Sequence, residues 1–448
     1  MLWGLKRPMK SIAKLIPHLA VVLSIAFLGL IAGSYLVFVN AFPARHLTDA
    51  YRGGHALLDK WSKWQQAYPT EFWQPVRSAA SGVTVYDPER AANGLTLYTT
   101  GGGQRAVLIS MAGEVLHEWQ LPFSAVWDET AAVRVPQPDS LIYFRQAHLY
   151  PNGDLLAIYE AAGDTPWGYG LVKMDKNSKP IWKYLEHAHH DLDVASDGKI
   201  YVLTHEVRST TIRFWRHLEP PRIDDFVVVL SPDGEELQKV SVVDAFIDSP
   251  FARMVNLVAW YTEGDYFHTN AIDVLDPAAA AALAPGAREP VLLSMRELGA
   301  IGILDLADQR FGWALRGAWV GQHDPDLLPN GNLLLFDNYG HYGEGGISRV
   351  IEFDPDSLEI VWRYTGGADH PFYSGVRSAQ ERLANGNTLI TESEGGRLFE
   401  VTPEGEIVWE YLNPVRGGEN GDLIAVVSWG QRIDPASLDP EFLEAPAS

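Results

Sequence analysis

Cysteine is absent from the 448-residue chain. That excludes disulfides, thiolate catalysis and cysteine-ligated zinc. Basic residues are scarce: 35 Lys and Arg stand against 57 Asp and Glu, a net charge of −22 at pH 7. Four of the basic residues, Lys6, Arg7, Lys10 and Lys14, sit at the extreme N-terminus, so the remainder is more acidic still. Nucleic acid is excluded as a partner, because phosphate binding needs a basic footprint. No P-loop occurs, so no nucleotide site is visible. What the chain does have is apolar residues, 46% of the total with 11% aromatics, ample for a packed core.

A continuous apolar stretch runs from Leu19 to Val39. At about 1.5 Å per residue it covers a hydrocarbon core of roughly 30 Å. The basic residues before it (1–18) place the N-terminus in the cytoplasm and everything after Asn40 outside. Cleavage near Val39-Asn40-Ala41 is the alternative, but the run exceeds an ordinary signal-peptide core. The reading is therefore an uncleaved, single-pass anchor (19–39) in the cytoplasmic membrane, with the bulk on the periplasmic or extracytoplasmic side. Residues 40–80 read as a connector, in which Leu57, Leu58, Trp61 and Trp64 recur at helical spacing. Residues 431–448 read as a C-terminal tail.

Between 81 and 430 six hairpin signals recur, at Asn93-Gly94, Asn152-Gly153, Asp197-Gly198, a degenerate one near Leu275-Asp276, Asn330-Gly331 and Asn385-Gly386. Most are followed by a strand pair around an acidic turn that ends in tryptophan, as at Trp182, Trp362 and Trp409. Four short strands per unit at a period of roughly 45–60 residues are the signature of propeller blades. The expected fold is all-β: a six-bladed β-propeller preceded by an N-terminal transmembrane helix. The tryptophans are expected to pack blade on blade. Insertions near Glu206–Asp225 and Val243–Asp265 interrupt the period and are expected on one face.

The segment before each hairpin is expected near the channel entrance. Seven residues ahead of the turn stand Arg145, His190, His323 and Ser378, the last with Arg377 beside it. The degenerate unit offers Phe267-His268-Thr269-Asn270, followed by Ser294-Met295-Arg296. Histidine and arginine from several blades thus converge on one axis, which is the reason to expect chemistry there. A divalent metal on His187, His189 and His190 is a competing reading. Strict alternation puts His187 and His189 on one face and His190 on the other, and the match between His190-Asp191 and His323-Asp324 favours His190 as the channel residue.

These residues resemble the arylsulfotransferases that use no nucleotide sulfate donor. The matching pieces are His189-His190-Asp191, Phe267-His268-Thr269-Asn270, Leu292-Leu293-Ser294-Met295-Arg296 and Gln322-His323-Asp324 with the following Pro-Asn-Gly-Asn and Phe-Asp-Asn. The resemblance runs over most of residues 85–415 and implies an exported propeller enzyme. It implies a sulfohistidine at His323, with His268, Arg296 and His190 as the other catalytic residues.

The chemistry is coherent in its own right. Neutral imidazole is a competent nucleophile near pH 7, and an arginine fork suits sulfuryl oxygens. The expected substrates are a small aromatic sulfate donor and a phenolic acceptor, with Asn270, Arg145 and Tyr339 as substrate-binding residues; Asn270 also reads as an orienting group behind the others. His341 and Tyr342 are expected with Tyr339 in the acceptor pocket, and Arg208–Arg216 reads as a basic loop. No cofactor and no metal are called for, since a sulfate monoester carries a single negative charge. Two other functions stay open: a metal-dependent propeller hydrolase or oxidoreductase using the same histidines, and a non-catalytic propeller that docks a partner at the membrane.

Overall fold

The apolar stretch and the residues before it, Lys10 and Lys14 included, form the first helix, Met9–Phe38. Its segment Ile16–Phe38, with a mean hydropathy of 2.3, is long and apolar enough to cross a membrane, a test that a signal sequence also passes. A second helix, Ala44–Trp64, places Leu47, Tyr51, Leu57, Leu58 and Trp61 on its exposed surface. The structure, a computed structural model, describes residues 9–444 except 40, 213, 216, 260, 261, 263 and 341–345. Lys6, Arg7, Arg213, Arg216, His341 and Tyr342 therefore lie outside the described residues.

The chain forms two compact units, Met1–Gln65 and Gln66–Ser448. The expected connector is thus divided, because residues from Gln66 onward belong to the second unit. Trp73–Pro75 pairs with Leu423–Ala425, and Phe72 is buried against Tyr143 at 4.9 Å.

Among the described residues the second unit holds six antiparallel sheets of four or five strands and one of three. In chain order the second sheet is Ile142–Leu149, Leu155–Ala161, Gly168–Met174 and Pro180–Tyr184. The third runs from Ala188–Val194 to Glu236–Ser241, and the fourth from Thr269–Val274 to Arg310–Arg316. The fifth runs from His323–Leu327 to Ile360–Tyr364, and the sixth from Ala379–Arg382 to Ile407–Leu412, with Gly82–Tyr86 added at its edge. The first sheet departs from the repeat. Its strands from Leu95 to Gln120 take their leading partner from the far end of the chain, Val427–Ile433. The expected tail is therefore in part a strand, and beyond it Phe442 is buried against Trp119 and His117.

Alternate residues of each strand face the neighbouring sheets, so apolar side chains collect between sheets rather than in one central core. One cluster joins the first sheet to the second through Leu108, Trp119, Phe144 and Ala157. Others join second to third, third to fourth, fourth to fifth, fifth to sixth, and sixth to first. The recurrent tryptophans cross these layers. The indole N–H groups of Trp119, Trp182, Trp362 and Trp409 donate to backbone carbonyls of Gly153, Pro232, Pro403 and Met111 on the next sheet.

The first insertion is shorter than expected, and the second fills the whole interval between Ser241 and Thr269. Ile200–Arg208 and Arg222–Leu230 pair along their whole length, Glu206 opposite Asp224 included, so only residues 209–221 loop out. The second contains the helix Val242–Ile247, which is buried on the third-to-fourth layer. The degenerate hairpin is a longer link carrying the short helix Pro277–Ala280, capped by Asp276.

Candidate functional site

The leading strands of the sheets do not alternate regularly. Pairing slips between Phe144 and Ala147, between His189 and Leu192, between Thr269 and Ala271, and between His323 and Asp326. His190, His268 and Asp324 take left-handed φ values of 56°, 49° and 53°. A bulge re-aims the side chains around it, which is why bulges recur near sites. Here it separates each His–Asp dipeptide. His190 and His323 line one cavity of about 560 Å³. Asp191 and Asp324 line a second, of about 280 Å³, and accept backbone N–H groups of Ile272 and Gln380 from adjacent sheets. The bulge also defeats strict alternation: His189 and His190 do not diverge, and their Nδ1 atoms lie 2.7 Å apart.

The first cavity brings together His190, His268, Arg296, His323 and Arg145, joined by Arg377, Trp167, Tyr143 and Glu160. Trp167 stacks on His268 at 5.4 Å, and His190 meets His268 edge-on at 4.9 Å. Arg145 donates one N–H to the Ser428 carbonyl at 3.0 Å, and Arg296 one to Glu297 at 2.7 Å; among the described residues their side chains have no other hydrogen-bond partner. Glu160 accepts the backbone N–H of His190 and the Tyr143 hydroxyl, which holds the bulge in place.

His323 is fixed by its neighbours. Its Nδ1 lies 2.9 Å from the Gly321 carbonyl and 2.8 Å from Asn338 Oδ1. The Asn338 amide donates through Nδ2 to the carbonyls of Ser374 and Arg377, so its oxygen must face the histidine. Two acceptors at Nδ1 place the proton there and leave Nε2 with its lone pair. Burial, with Arg296 and Arg145 close by, holds His323 well below the ordinary histidine value, so it is neutral. His268 is the opposite case. Burial pushes it down, but the Asp265 carboxylate hydrogen-bonded to its Nδ1 outweighs that, and its pKa is raised. His190 is held low by burial and by His268. Neighbouring imidazoles with diverging pKa values are the pattern of an acid–base site.

Two expected substrate contacts stand apart. Asn270 is buried with its Nδ2 on the Gln322 carbonyl at 2.9 Å, so it braces the residue before His323 instead of facing the cavity. Tyr339 packs against Gly321 and Gly375, away from the residues that line the cavity. At the sixth sheet the cation is Arg377 and not Ser378, whose hydroxyl is tied to Ser393. Trp167 was unassigned from sequence; its signal is a tryptophan set in Gly163-Asp-Thr-Pro-Trp-Gly168, between strands rather than at a strand end. Asp265 is visible only as Asp-x-x-His.

Fold and site together define an all-β protein with a buried histidine–arginine cavity. A family profile described as Arylsulfotransferase (ASST) matches residues 146–414. The chain belongs to the arylsulfotransferase family, and its general activity is that of an aryl sulfotransferase-like transferase, with an aryl sulfate donor and a phenol acceptor implied. No curated protein matches it. Among solved structures it is similar to a protein of unknown function from Bacteroides caccae, with 13% identity, 76% of this chain and 99% of that one covered, and a TM-score of 0.49. It is also similar to a streptogramin B lyase, with 12% identity, 82% and 98% covered, and a TM-score of 0.40. The WD40 β-propeller domain of Doa1 aligns with 12% identity, 71% and 76% covered, and a TM-score of 0.35.

Proposed function

We propose that this is a membrane-anchored aryl sulfotransferase that works through a sulfohistidine at His323, in a closed six-bladed propeller over roughly residues 81–430. The propeller reading is supported by the leading strands, which touch in order from sheet two to six, then Val427–Ile433, then sheet two again. The observation that carries the mechanism is the locked tautomer of a neutral His323 on the wall of a cavity that also holds Arg145, Arg296 and His268.

In the first half-reaction His323 Nε2 attacks sulfur, the N–S bond forms, and the bond to the aryl oxygen breaks. The departing phenolate takes the proton of His268. In the second, the acceptor phenol gives its proton back to His268 and attacks the sulfur, and the N–S bond breaks. Arg145 and Arg296 meet the oxygens on which charge gathers. His190 donates to the same oxygens, while Asn270 holds the Gln322 carbonyl and Asn338 the His323 ring.

The test is intact mass. Wild-type protein incubated with p-nitrophenyl sulfate is expected to gain one sulfuryl group, mapped to His323 and discharged by phenol. No adduct and no p-nitrophenolate across several aryl sulfates would sink the reading. For the anchor, deleting residues 1–40 is expected to shift the protein from the carbonate-resistant membrane fraction to the soluble one. A mature N-terminus near Ala41 in the full-length protein would show a cleaved signal instead.

A further inference from the structure

Behind the cavity wall lies a second cluster that the transfer mechanism does not use. His189, His205 and Asp225 come from the first, second and third strands of the third sheet, and each is at most 1% exposed. One ligand atom from each falls within 4.8 Å of the others. His189 Nε2 is 3.5 Å from Asp225 Oδ1, and the rings of His189 and His205 stack at 4.4 Å. Asp225 is aimed by its other oxygen, which accepts the Thr269 N–H at 2.7 Å. Among the described residues neither ring nitrogen of His205 has a hydrogen-bond partner, and Nε2 of His189 has only the 3.5 Å approach of Asp225 Oδ1. Leaving such groups unpaired away from water costs roughly 1–3 kcal/mol each, so a buried orphan calls for an occupant.

We propose that His189 Nε2, one ring nitrogen of His205 and Asp225 Oδ1 bind a divalent transition-metal ion of the zinc class, the His205 ring turning out of its stack on His189 so that both in-plane lone pairs meet the ion. Two imidazoles and a carboxylate are a borderline donor set. They suit zinc, iron, cobalt or nickel and are wrong for calcium or magnesium, which take oxygen ligands. A neighbouring set, Glu160 with His189 and His190, is less suitable, because Glu160 already accepts from the His190 N–H and the Tyr143 hydroxyl.

The ion has a consequence for the cavity. Metal on His189 Nε2 requires the proton on Nδ1, which then donates to His190 Nδ1 at 2.7 Å. His190 must in turn carry its own proton on Nε2 and is a donor there. The ion is thus a positioning device, set one residue behind the site. The proposal stands independently of the sulfuryl-transfer reading.

The experiment is elemental analysis of purified full-length protein, followed by titration of the chelator-treated protein with Zn²⁺ against a competing dye. About one ion per chain is expected. His205→Gln and Asp225→Asn are expected to weaken Zn²⁺ by more than the roughly 10- to 100-fold that loss of an outer-shell partner costs. Glu160→Gln should leave the stoichiometry unchanged. Cobalt substitution gives a second readout: visible d–d bands in the wild type, altered in His205→Gln. A folded wild type with neither bound metal nor Zn²⁺ uptake overturns the proposal. So does binding that survives both ligand variants or is lost only in Glu160→Gln.

Discussion

His323→Ala is expected to lower turnover of aryl sulfates by roughly 10⁴- to 10⁶-fold, the scale seen when a nucleophile is removed from an otherwise intact site. The cavity loses only the imidazole, so donor binding through Arg145 and Arg296 should persist and the loss should fall on kcat. The sulfuryl adduct should vanish with the activity. A sharper version uses His323→Gly with imidazole in solution, which fills the gap and should restore part of the rate. Asn338→Leu tests the tautomer lock. It keeps the nucleophile but removes one of the two acceptors at Nδ1. A smaller loss is expected, with adduct still forming. Steady-state kinetics and intact mass on these variants decide the matter: turnover with an adduct in His323→Ala would rule out this residue as the nucleophile.

The second large effect concerns His268. Its pKa is raised, since Asp265 outweighs burial, so it stays protonated past the usual pH 6.5. A general acid works while protonated, so kcat/KM for the donor should fall as pH rises through the His268 pKa. His323 is neutral throughout that window, because its own pKa lies well below the usual value. His268→Asn should cost roughly 10²- to 10⁴-fold and flatten the alkaline limb. The loss should be larger for phenyl sulfate than for p-nitrophenyl sulfate, because the poorer leaving group needs the proton more. Asp265→Asn removes the group that raises the pKa and leaves burial to push it down. The alkaline limb should then move to lower pH, and a pH–rate profile unmoved in Asp265→Asn would refute the acid assignment.

Much of the fold was legible because its signals are local. An Asn-Gly turn, an acidic turn and a closing tryptophan are each set by near neighbours in the chain, and they recur from sheet to sheet. His190, His268, Arg296, His323 and Arg145 were legible for the same reason: four stand at or beside matched points of the repeat, and Arg296 follows on the next strand of the His268 unit. The leading strand of the first sheet was not legible, since Val427 pairs with Thr100 across most of the chain. Nor were the bulges, because a one-residue slip leaves no mark on composition yet decides which side chain faces the cavity. On this account Asn270 faces away from the cavity, which fits its reading as an orienting group and not that as a substrate contact, and Asp191 and Asp324, read together with their histidines, line a different cavity.

The sequence by itself therefore determined the apolar N-terminal helix, the repeated antiparallel units and the residue types offered near the axis. Those follow from turn chemistry, hydrophobic period and charge, which act between near neighbours. Tertiary structure alone decided which nitrogen of His323 is free, why His268 holds its proton, and that His189, His205 and Asp225 meet. Each of those depends on a partner from another strand or loop, such as Asn338, Asp265 or Thr269. Only the folded backbone, bulges included, brings them within hydrogen-bonding distance.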